Sequence, residues 1–243
     1  MDHLGNDAVS MPPAIVLVGG LGTRLRGVVD DVPKPLAPVA GRPFLEFVLD
    51  RLVAHGIERA VLATGFRGEQ IEAHFGSNHG ALALEFSRED EPLGTGGAIL
   101  RALRRIDVDE ALVLNGDTLF EVDLTALVAA HRAAGADLTL ALRPLDDVGR
   151  FGAVRIDADG RVVEFVEKSA AAGPGLVNGG VYVLRRAALE DLDLPERFGF
   201  ERDVLEDRVG TLHLHGVVDD GAFVDIGVPE DYARAQRDLA GRG

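Results

Sequence analysis

The chemistry-bearing residues of this chain begin with a glycine turn followed by two cations. Residues 15–36, IVLVGGLGTRLRGVVDDVPKPL, open as an apolar run, turn through Gly19, Gly20 and Gly22, and then present Arg24 and Lys34, the latter between two prolines. Backbone without side chains folds tightly enough to aim several N–H groups at one anion, and the two cations supply charge against it. The pattern suits a grip on a nucleoside triphosphate. It is not a P-loop, because no Lys follows the glycines, and not a dinucleotide fingerprint, because the next apolar strand, Arg59 to Thr64, ends in no carboxylate. A strand-to-helix turn needing glycine for geometry alone accounts for the glycines but leaves Arg24, Lys34 and the paired prolines without a reason. The second feature is a pair of acids. Asp117 directly follows ALVLNG, and Asp225 directly follows AFV. Ligands of open α/β sheets gather beyond the carboxyl ends of strands, where both acids fall. Spacing alone does not show that they meet, and read in isolation Asp117 fits a turn or cap after Asn115-Gly116 equally well.

Positioning those residues requires a sheet. Short Val/Leu/Ile-rich runs alternate with helical patterns from residue 14 to about 142, the sequence form of a parallel sheet covered on both faces. Strands are expected at Ala14 to Val18, Arg59 to Thr64, Leu82 to Phe86, Ala111 to Leu114 and Asp137 to Leu142. Helical spacing relates Phe44, Phe47, Val48, Arg51 and Leu52, then Ile71, His74 and Phe75, then Ile99, Ala102 and Leu103, then Leu124, Leu127, Val128 and His131. Beyond residue 143 come shorter strands, Gly152 to Ile156 and Arg161 to Glu167, joined through Asp159-Gly160 as a primed hairpin turn. These read as a small lobe beside the sheet. A glycine-rich passage at 173–180 leads into a strand from Gly180 to Leu184, Ala222 to Val224 forms the last core strand, and Pro229 opens a closing helix.

Composition narrows the partners. A chain of 243 residues with 47% hydrophobic content has room for one α/β domain with a full core. No apolar stretch approaches the ~20 residues of a membrane helix. The first 12 residues lack a basic start and an apolar centre, so they read as a disordered leader and not as a signal peptide. A net charge of −15 argues against nucleic acid or an anionic membrane as partner. An anionic small substrate is compatible with that charge if Arg and Lys are focused locally with a divalent metal. Cysteine is absent, which excludes disulfides, thiolate zinc and cysteine nucleophiles, and fits a cytoplasmic location. His213 and His215 share a strand face, but no further ligand stands near them in sequence, and a solvated strand accounts for the pair.

The motifs also carry a resemblance. GG-x-GTRL stands at Gly19 to Leu25 and PKPL at Pro33 to Leu36, followed in order by PLGTGGA at 92–98, NGD at 115–117, EFVEK at 164–168, NGGVY at 178–182 and DIGVPEDY at 225–232. In this ordered set, which covers nearly the whole chain, the sequence resembles the sugar nucleotidyltransferases, or nucleoside-diphosphate-sugar pyrophosphorylases. The resemblance implies a Rossmann-like three-layer α/β fold, similar to glycosyltransferase-A domains, with a mostly parallel central sheet and a small sugar-binding lobe. A single domain over 13–240 is expected: a nucleotide part at 13–143, a sugar-phosphate part at 144–228 and a closing helix at 229–240. The implied reaction is attack by a sugar 1-phosphate oxygen on the α-phosphorus of a nucleoside triphosphate, releasing pyrophosphate.

By the same resemblance Arg24, Lys34 and Asp117 are catalytic, and Asp117 and Asp225 bind Mg²⁺ bridging the nucleotide phosphates. Val18, Gly19, Gly20, Gly22, Thr23, Glu89, Pro92, Leu93, Gly94, Thr95 and Gly116 line the nucleotide; Gly152, Glu167, Lys168, Asn178, Gly179 and Tyr182 line the sugar phosphate. Tyr182 also suits a core position, and Glu201 and Asp203, in FERDVL, fall near the sugar pocket or serve only a helix dipole. Glu89 stands where a relative addresses its base. A carboxylate only accepts hydrogen bonds, which suits the adjacent N1–H and N2–H of guanine, although uracil also offers one N–H and a solvated acidic run at 89–91 is an equal reading. The strings VPKPLAPVAGRPFLEFVLDRL, EDEPLGTGGA, VLNGDT, LTLAL and NGGVYVL are similar to members that guanylylate a D-glycero-α-D-manno-heptose 1-phosphate; members acting on mannose 1-phosphate share much of this. The expected partners are thus a nucleoside triphosphate and a sugar 1-phosphate, with a homodimer as the default assembly of a soluble enzyme. A reading of a different class is a non-catalytic nucleotide-sugar-binding regulatory subunit. Such proteins lose loop cations or a metal carboxylate, whereas Arg24, Lys34, Asp117 and Asp225 all stand here.

Overall fold

The run AIVL at residues 14–17 becomes the strand at the middle of a ten-stranded sheet. The structure, a computed structural model, describes residues 10–20, 32–166 and 173–241. In chain order its elements are β1 (Ala14–Leu17), β2 (Pro38–Val39), β3 (Arg42–Pro43), α1 (Phe44–Ala54), β4 (Arg59–Thr64), α2 (Gly68–Phe75), β5 (Asn78–His79) and β6 (Leu82–Arg88). Next come α3 (Gly94–Ile106), β7 (Glu110–Asn115), β8 (Thr118–Phe120), α4 (Leu124–Ala134), β9 (Leu138–Leu145), β10 (Ala153–Ile156) and β11 (Val162–Val166). The last are β12 (Gly175–Arg185), α5 (Ala187–Glu190), β13 (Leu214–Val218), β14 (Phe223–Asp225) and α6 (Pro229–Asp238). A 3₁₀ turn covers Lys34–Leu36, and Phe200–Glu206 is π-helical.

The sheet order is β11-β10-β12-β7-β1-β4-β6-β5, with β9 paired to β12 and β13 to β9. Its core, β7-β1-β4-β6, is parallel. Alternation in the strands divides the interior into two layers. Ala14, Val16, Leu112 and Leu114 face a cluster with α1, α4 and α6, while Ile15, Ala111 and Val113 face one with α3 and the segment around Phe198–Leu205. A sheet buried on both faces needs apolar residues in both registers, which is why these strands read as unbroken hydrophobic runs. The α/β fold class expected from the sequence is the one found.

Four details differ from expectation. First, β12 does not begin at Gly180. It runs from Gly175, with an irregularity between Asn178 and Tyr182, so that one half pairs with β9 and β10 and the other with β9 and β7. Glycine allowed the bend without ending the strand. Second, the β10–β11 connection is not a two-residue primed turn: Asp157 N–H reaches Arg161 O, and the Asp157 carboxylate accepts from the N–H groups of Asp159 and Arg161. A side-chain acceptor two residues before Asp159 favours the longer loop. Third, β14 leaves the main sheet and pairs antiparallel with β8, setting Asp225 opposite Thr118. Fourth, Ser10 to Pro12 are not part of a disordered leader. Pro12 is buried, Met11 packs on the core, and Arg132 donates to Ser10 O at 2.9 Å. Residues 1–9 lie outside the described residues.

The amino end of α3 is a seam. Gly94 has φ +74°, and a Cβ there would meet the carbonyl oxygen of Phe198; one on Gly96 would meet the Phe198 ring, and one on Gly97 the carbonyl oxygen of Glu196 at 2.6 Å. Thr95 Oγ1 accepts from Phe200 N–H at 2.8 Å. These glycines let the chain at 196–200 lie directly on the helix start. Gly94→Ala is therefore expected to destabilise the fold by about 1–3 kcal/mol through backbone strain and overpacking, read as a lowered urea midpoint at unchanged m value.

Candidate active site

Two cavities open at the carboxyl ends of the parallel strands. The first, about 630 Å³, is lined by Val18, Gly19 and Gly20 after β1, by Lys34, by Glu89 and Pro92 after β6, by Gly94 and Thr95 of α3, and by Asp117, Tyr182 and Asp225. The second, about 600 Å³, is lined by Gly152, Asn178, Gly179 and Asp225 together with Phe151, Phe165, Glu206 and Phe223. Asn115, Thr118, Glu201 and Asp225 belong to both, so the cavities meet at the Asp225 carboxylate.

That junction holds the strongest electrostatics. Lys34 reaches it from the 3₁₀ turn, whose Pro35 is buried and whose own proline-flanked backbone limits how far it can swing. Its ammonium lies 2.5 Å from Asp117 Oδ2, with the lysine side chain only 12% exposed. Asp117 sits in the turn from β7 to β8, and its carbonyl accepts from Ile226 N–H at 3.1 Å, which ties it to the chain just beyond Asp225. Asp225 accepts from Gly227 N–H at 2.5 Å. Burial, and then the negative charge of Asp117, push the Asp225 pKa up, while Lys34 and the Gly227 N–H oppose the shift. Two acids 108 residues apart in sequence thus feel one another, and one lysine partly balances them.

Glu89 lies at the other end of the first cavity. Its carboxylate accepts from Leu93 N–H at 3.2 Å, and burial raises its pKa against the pull of that hydrogen bond and of Arg101. Leu93 itself does not line the cavity but orients Glu89. Gly116 is not on the surface either. A Cβ there would meet Val18 Cγ1 at 2.6 Å and Leu17 O at 2.8 Å, so this glycine serves packing of β7 on β1.

Tyr182, expected beside a sugar, is a core residue. It is 1% exposed, stands edge-on to Phe200, and its hydroxyl accepts from Asn178 Nδ2 at 2.8 Å, with burial raising its pKa. Its part is to hold Asn178, which also accepts from Gly180 N–H at 3.1 Å. Gly179 abuts Phe120, and a Cβ there would also stand 3.0 Å from Ala141 O. Gly22, Thr23, Arg24, Glu167 and Lys168 lie outside the described residues. Sequence reasoning passed over Asn115, Thr118, Phe151, Glu206 and Phe223. Asn115 and Thr118 flank the singled-out Gly116-Asp117 and were within reach of strand-end logic; Phe151, Glu206 and Phe223 carry no local signal.

Among the described residues no group of three or more His, Cys, Asp or Glu is placed to hold a metal ion. The pair Asp117 and Asp225 nevertheless suits a small hard cation that takes one or two carboxylates and completes its shell with substrate phosphates and water. The upward pKa shift of Asp225 beside Asp117 marks a place where added positive charge is favourable.

The chain is similar to known proteins over nearly its whole length. The model of the Nucleotidyl transferase family matches residues 13–242. The chain is 45% identical over 226 residues to a D-glycero-alpha-D-manno-heptose 1-phosphate guanylyltransferase of Aneurinibacillus thermoaerophilus, covering 93% of this chain and 97% of that one. A protein of the same name from Campylobacter jejuni is 41% identical over 90% of this chain and 96% of its own length. The crystal structure of HddC from Yersinia pseudotuberculosis complexed with GMP-PN superposes with a TM-score of 0.84 at 35% identity, covering 94% of this chain and all of that one.

The strain at the junction has a measurable sign. A carboxyl whose pKa is higher folded than unfolded stabilises the fold below the ordinary carboxylate range and loses that contribution as pH rises through the raised value. Asp225→Asn removes the charge while keeping an acceptor for Gly227 N–H. Without added metal it is expected to melt roughly 2–4 °C above the parent near pH 7.5, the shift that ~1 kcal/mol makes at this size. The gain should vanish below about pH 3.5, where both unfolded and folded carboxyls are protonated. Thermal melts of both proteins across pH read this directly.

Proposed function

The chain belongs to the nucleotidyl transferase family, and we propose that it transfers GMP from GTP to D-glycero-α-D-manno-heptose 1-phosphate, forming GDP-heptose and pyrophosphate. The observation that carries this reading is the junction of two cavities of substrate size at Asp225, with Lys34 and Asp117 in contact beside it. The first cavity takes the nucleotide and the second the sugar phosphate. The shared names of the two relatives support the heptose and the guanine. A cytoplasmic place of action follows the same reading, and among the described residues no helix is long and apolar enough to cross a membrane.

The mechanism needs no general base. A phosphate monoester is largely ionised near neutral pH, so its oxygen is already a nucleophile. The difficulty is to hold two polyanions in line against their repulsion while charge builds on the α-phosphorus and the departing pyrophosphate. Gly19 and Gly20 bring backbone N–H groups to the triphosphate, and Gly22, Thr23 and Arg24, next in the GG-x-GTRL motif, bind the same phosphates. Lys34 supplies the cation at the junction, and Lys168 in the EFVEK motif the cation for the incoming phosphate. Asp117 and Asp225 are the residues that would hold Mg²⁺, which when bound neutralises phosphate charge at the reacting centre. Asn178, steadied by Tyr182, reads sugar hydroxyls with Glu167, while Gly152 lets the ring approach the backbone and Gly179, packed on Phe120, lines the same cavity.

Glu89 accepts from the N1–H and N2–H of guanine. Its burial raises its pKa, so the acceptor is lost to protonation at a higher pH than for an exposed glutamate.

Release of pyrophosphate, assayed with five nucleoside triphosphates against heptose, mannose, glucose and N-acetylhexosamine 1-phosphates, tests the reading; a preference for UTP or dTTP would overturn it. Lys34→Ala is expected to lower kcat about 10²- to 10³-fold with folding retained, the size of losing one preorganised charge contact to the transition state. For the base, KM for GTP should climb as pH falls through the raised pKa of Glu89. Glu89→Gln should abolish that climb and reduce the GTP preference over UTP about tenfold, the loss of one charge-assisted hydrogen bond.

A further inference from the structure

We propose that Glu206 is the residue that recognises the exocyclic C6–C7 diol of the sugar and so separates a heptose from a hexose; the proposal rests on the heptose reading above. Glu206 lines the second cavity and not the first. A sugar phosphate whose phosphate lies at the shared Asp225 must point the far side of its ring into the part of the cavity that has no contact with the nucleotide. There the wall is Phe151, Ala153, Val154, Phe165 and Phe223, with Glu206 set among them.

The placement comes from an unusual helix. Residues Phe200–Glu206 are π-helical, with Asp207 N–H donating to Arg202 O at 3.0 Å, an i to i+5 bond. Residues five apart then share a face, which in an α-helix they do not. Glu201 and Glu206 are five apart, and both face the second cavity. The π form thus carries a second carboxylate one turn outward from the junction. Asp203, between them, is engaged otherwise, accepting from Gly199 N–H at 2.6 Å. Among the described residues none pairs with the Glu206 carboxylate.

A heptose differs from mannose by one added CHOH unit, hence by one hydroxyl donor beyond C6. A carboxylate has two oxygens and no donor, so it accepts from both members of a vicinal diol at once. A site built to bind a hydroxyl discriminates against a substrate lacking it far better than an apolar pocket discriminates by size.

The test compares kcat/KM for D-glycero-α-D-manno-heptose 1-phosphate, its 7-deoxy analogue and mannose 1-phosphate, at saturating GTP, in the full-length parent, Glu206→Ala and Glu206→Gln. Expected are a fall of about tenfold or more in the heptose-to-mannose ratio for Glu206→Ala, an intermediate ratio for Glu206→Gln, and an unchanged KM for GTP. The alanine variant should treat heptose and its 7-deoxy analogue alike. A heptose-to-mannose ratio that moves less than about threefold, or equal losses on all three sugars, overturns the assignment. Failure of the parent to use any heptose would instead overturn the heptose reading itself, and the parent's own ratio separates the two outcomes.

Discussion

Two carboxylates brought into one half-buried junction dominate the design of this molecule. Asp117 and Asp225 repel one another there, burial adds to the cost, and Lys34 offsets only part of it. Isolated from a substrate, such an arrangement is a stability defect. It persists because surrounding elements fix the backbone that carries the side chains: Asp117 is held by the β7–β8 turn and the Ile226 N–H, Asp225 by pairing with Thr118 and by the Gly227 N–H, and Lys34 by its proline-flanked turn. Strain held by an over-determined frame is the usual mark of a preorganised site.

The same frame explains how the two cavities are coupled. The glycines of PLGTGGA do not merely clear space for a ligand. They admit the chain at 196–200 onto the first turn of α3, where Thr95 binds Phe200 and Phe200 stacks edge-on against Tyr182. Tyr182 in turn holds Asn178 in the second cavity. A loop that borders the nucleotide side is therefore packed, residue by residue, against the wall of the sugar side. Among the described residues the junction carries Lys34 as its cation against Asp117 and Asp225, so an anionic substrate there calls for added positive charge.

Much of the architecture was legible along the chain. The strand at Arg59–Thr64 was read to the residue, and Pro229 opens α6 as its missing N–H allows. Period and composition report burial on both faces, and proline and glycine report backbone geometry, so these features survive without tertiary context. Reading failed where the deciding contact was distant. Gly116 looked like a ligand-facing glycine because its need for bareness comes from Val18 and Leu17, about 100 residues away. Tyr182, for which the sequence left a sugar contact and a core position both open, takes the core position, its hydroxyl meeting Asn178 through the irregularity at Gly179-Gly180.

What the sequence determined by itself was the set of chemical actors and the class of fold: an apolar strand feeding a glycine turn, cations after it, and acids at two strand ends. Those are local properties, dictated by side-chain chemistry and by the periods of helix and strand. Only the tertiary structure decided that Asp225, on a strand that leaves the main sheet for β8, meets Asp117 and Lys34, and that a π-helical segment turns Glu206 toward the same cavity as Glu201. Convergence of this kind depends on pairing and packing between segments far apart in the chain, and no single segment carries that information.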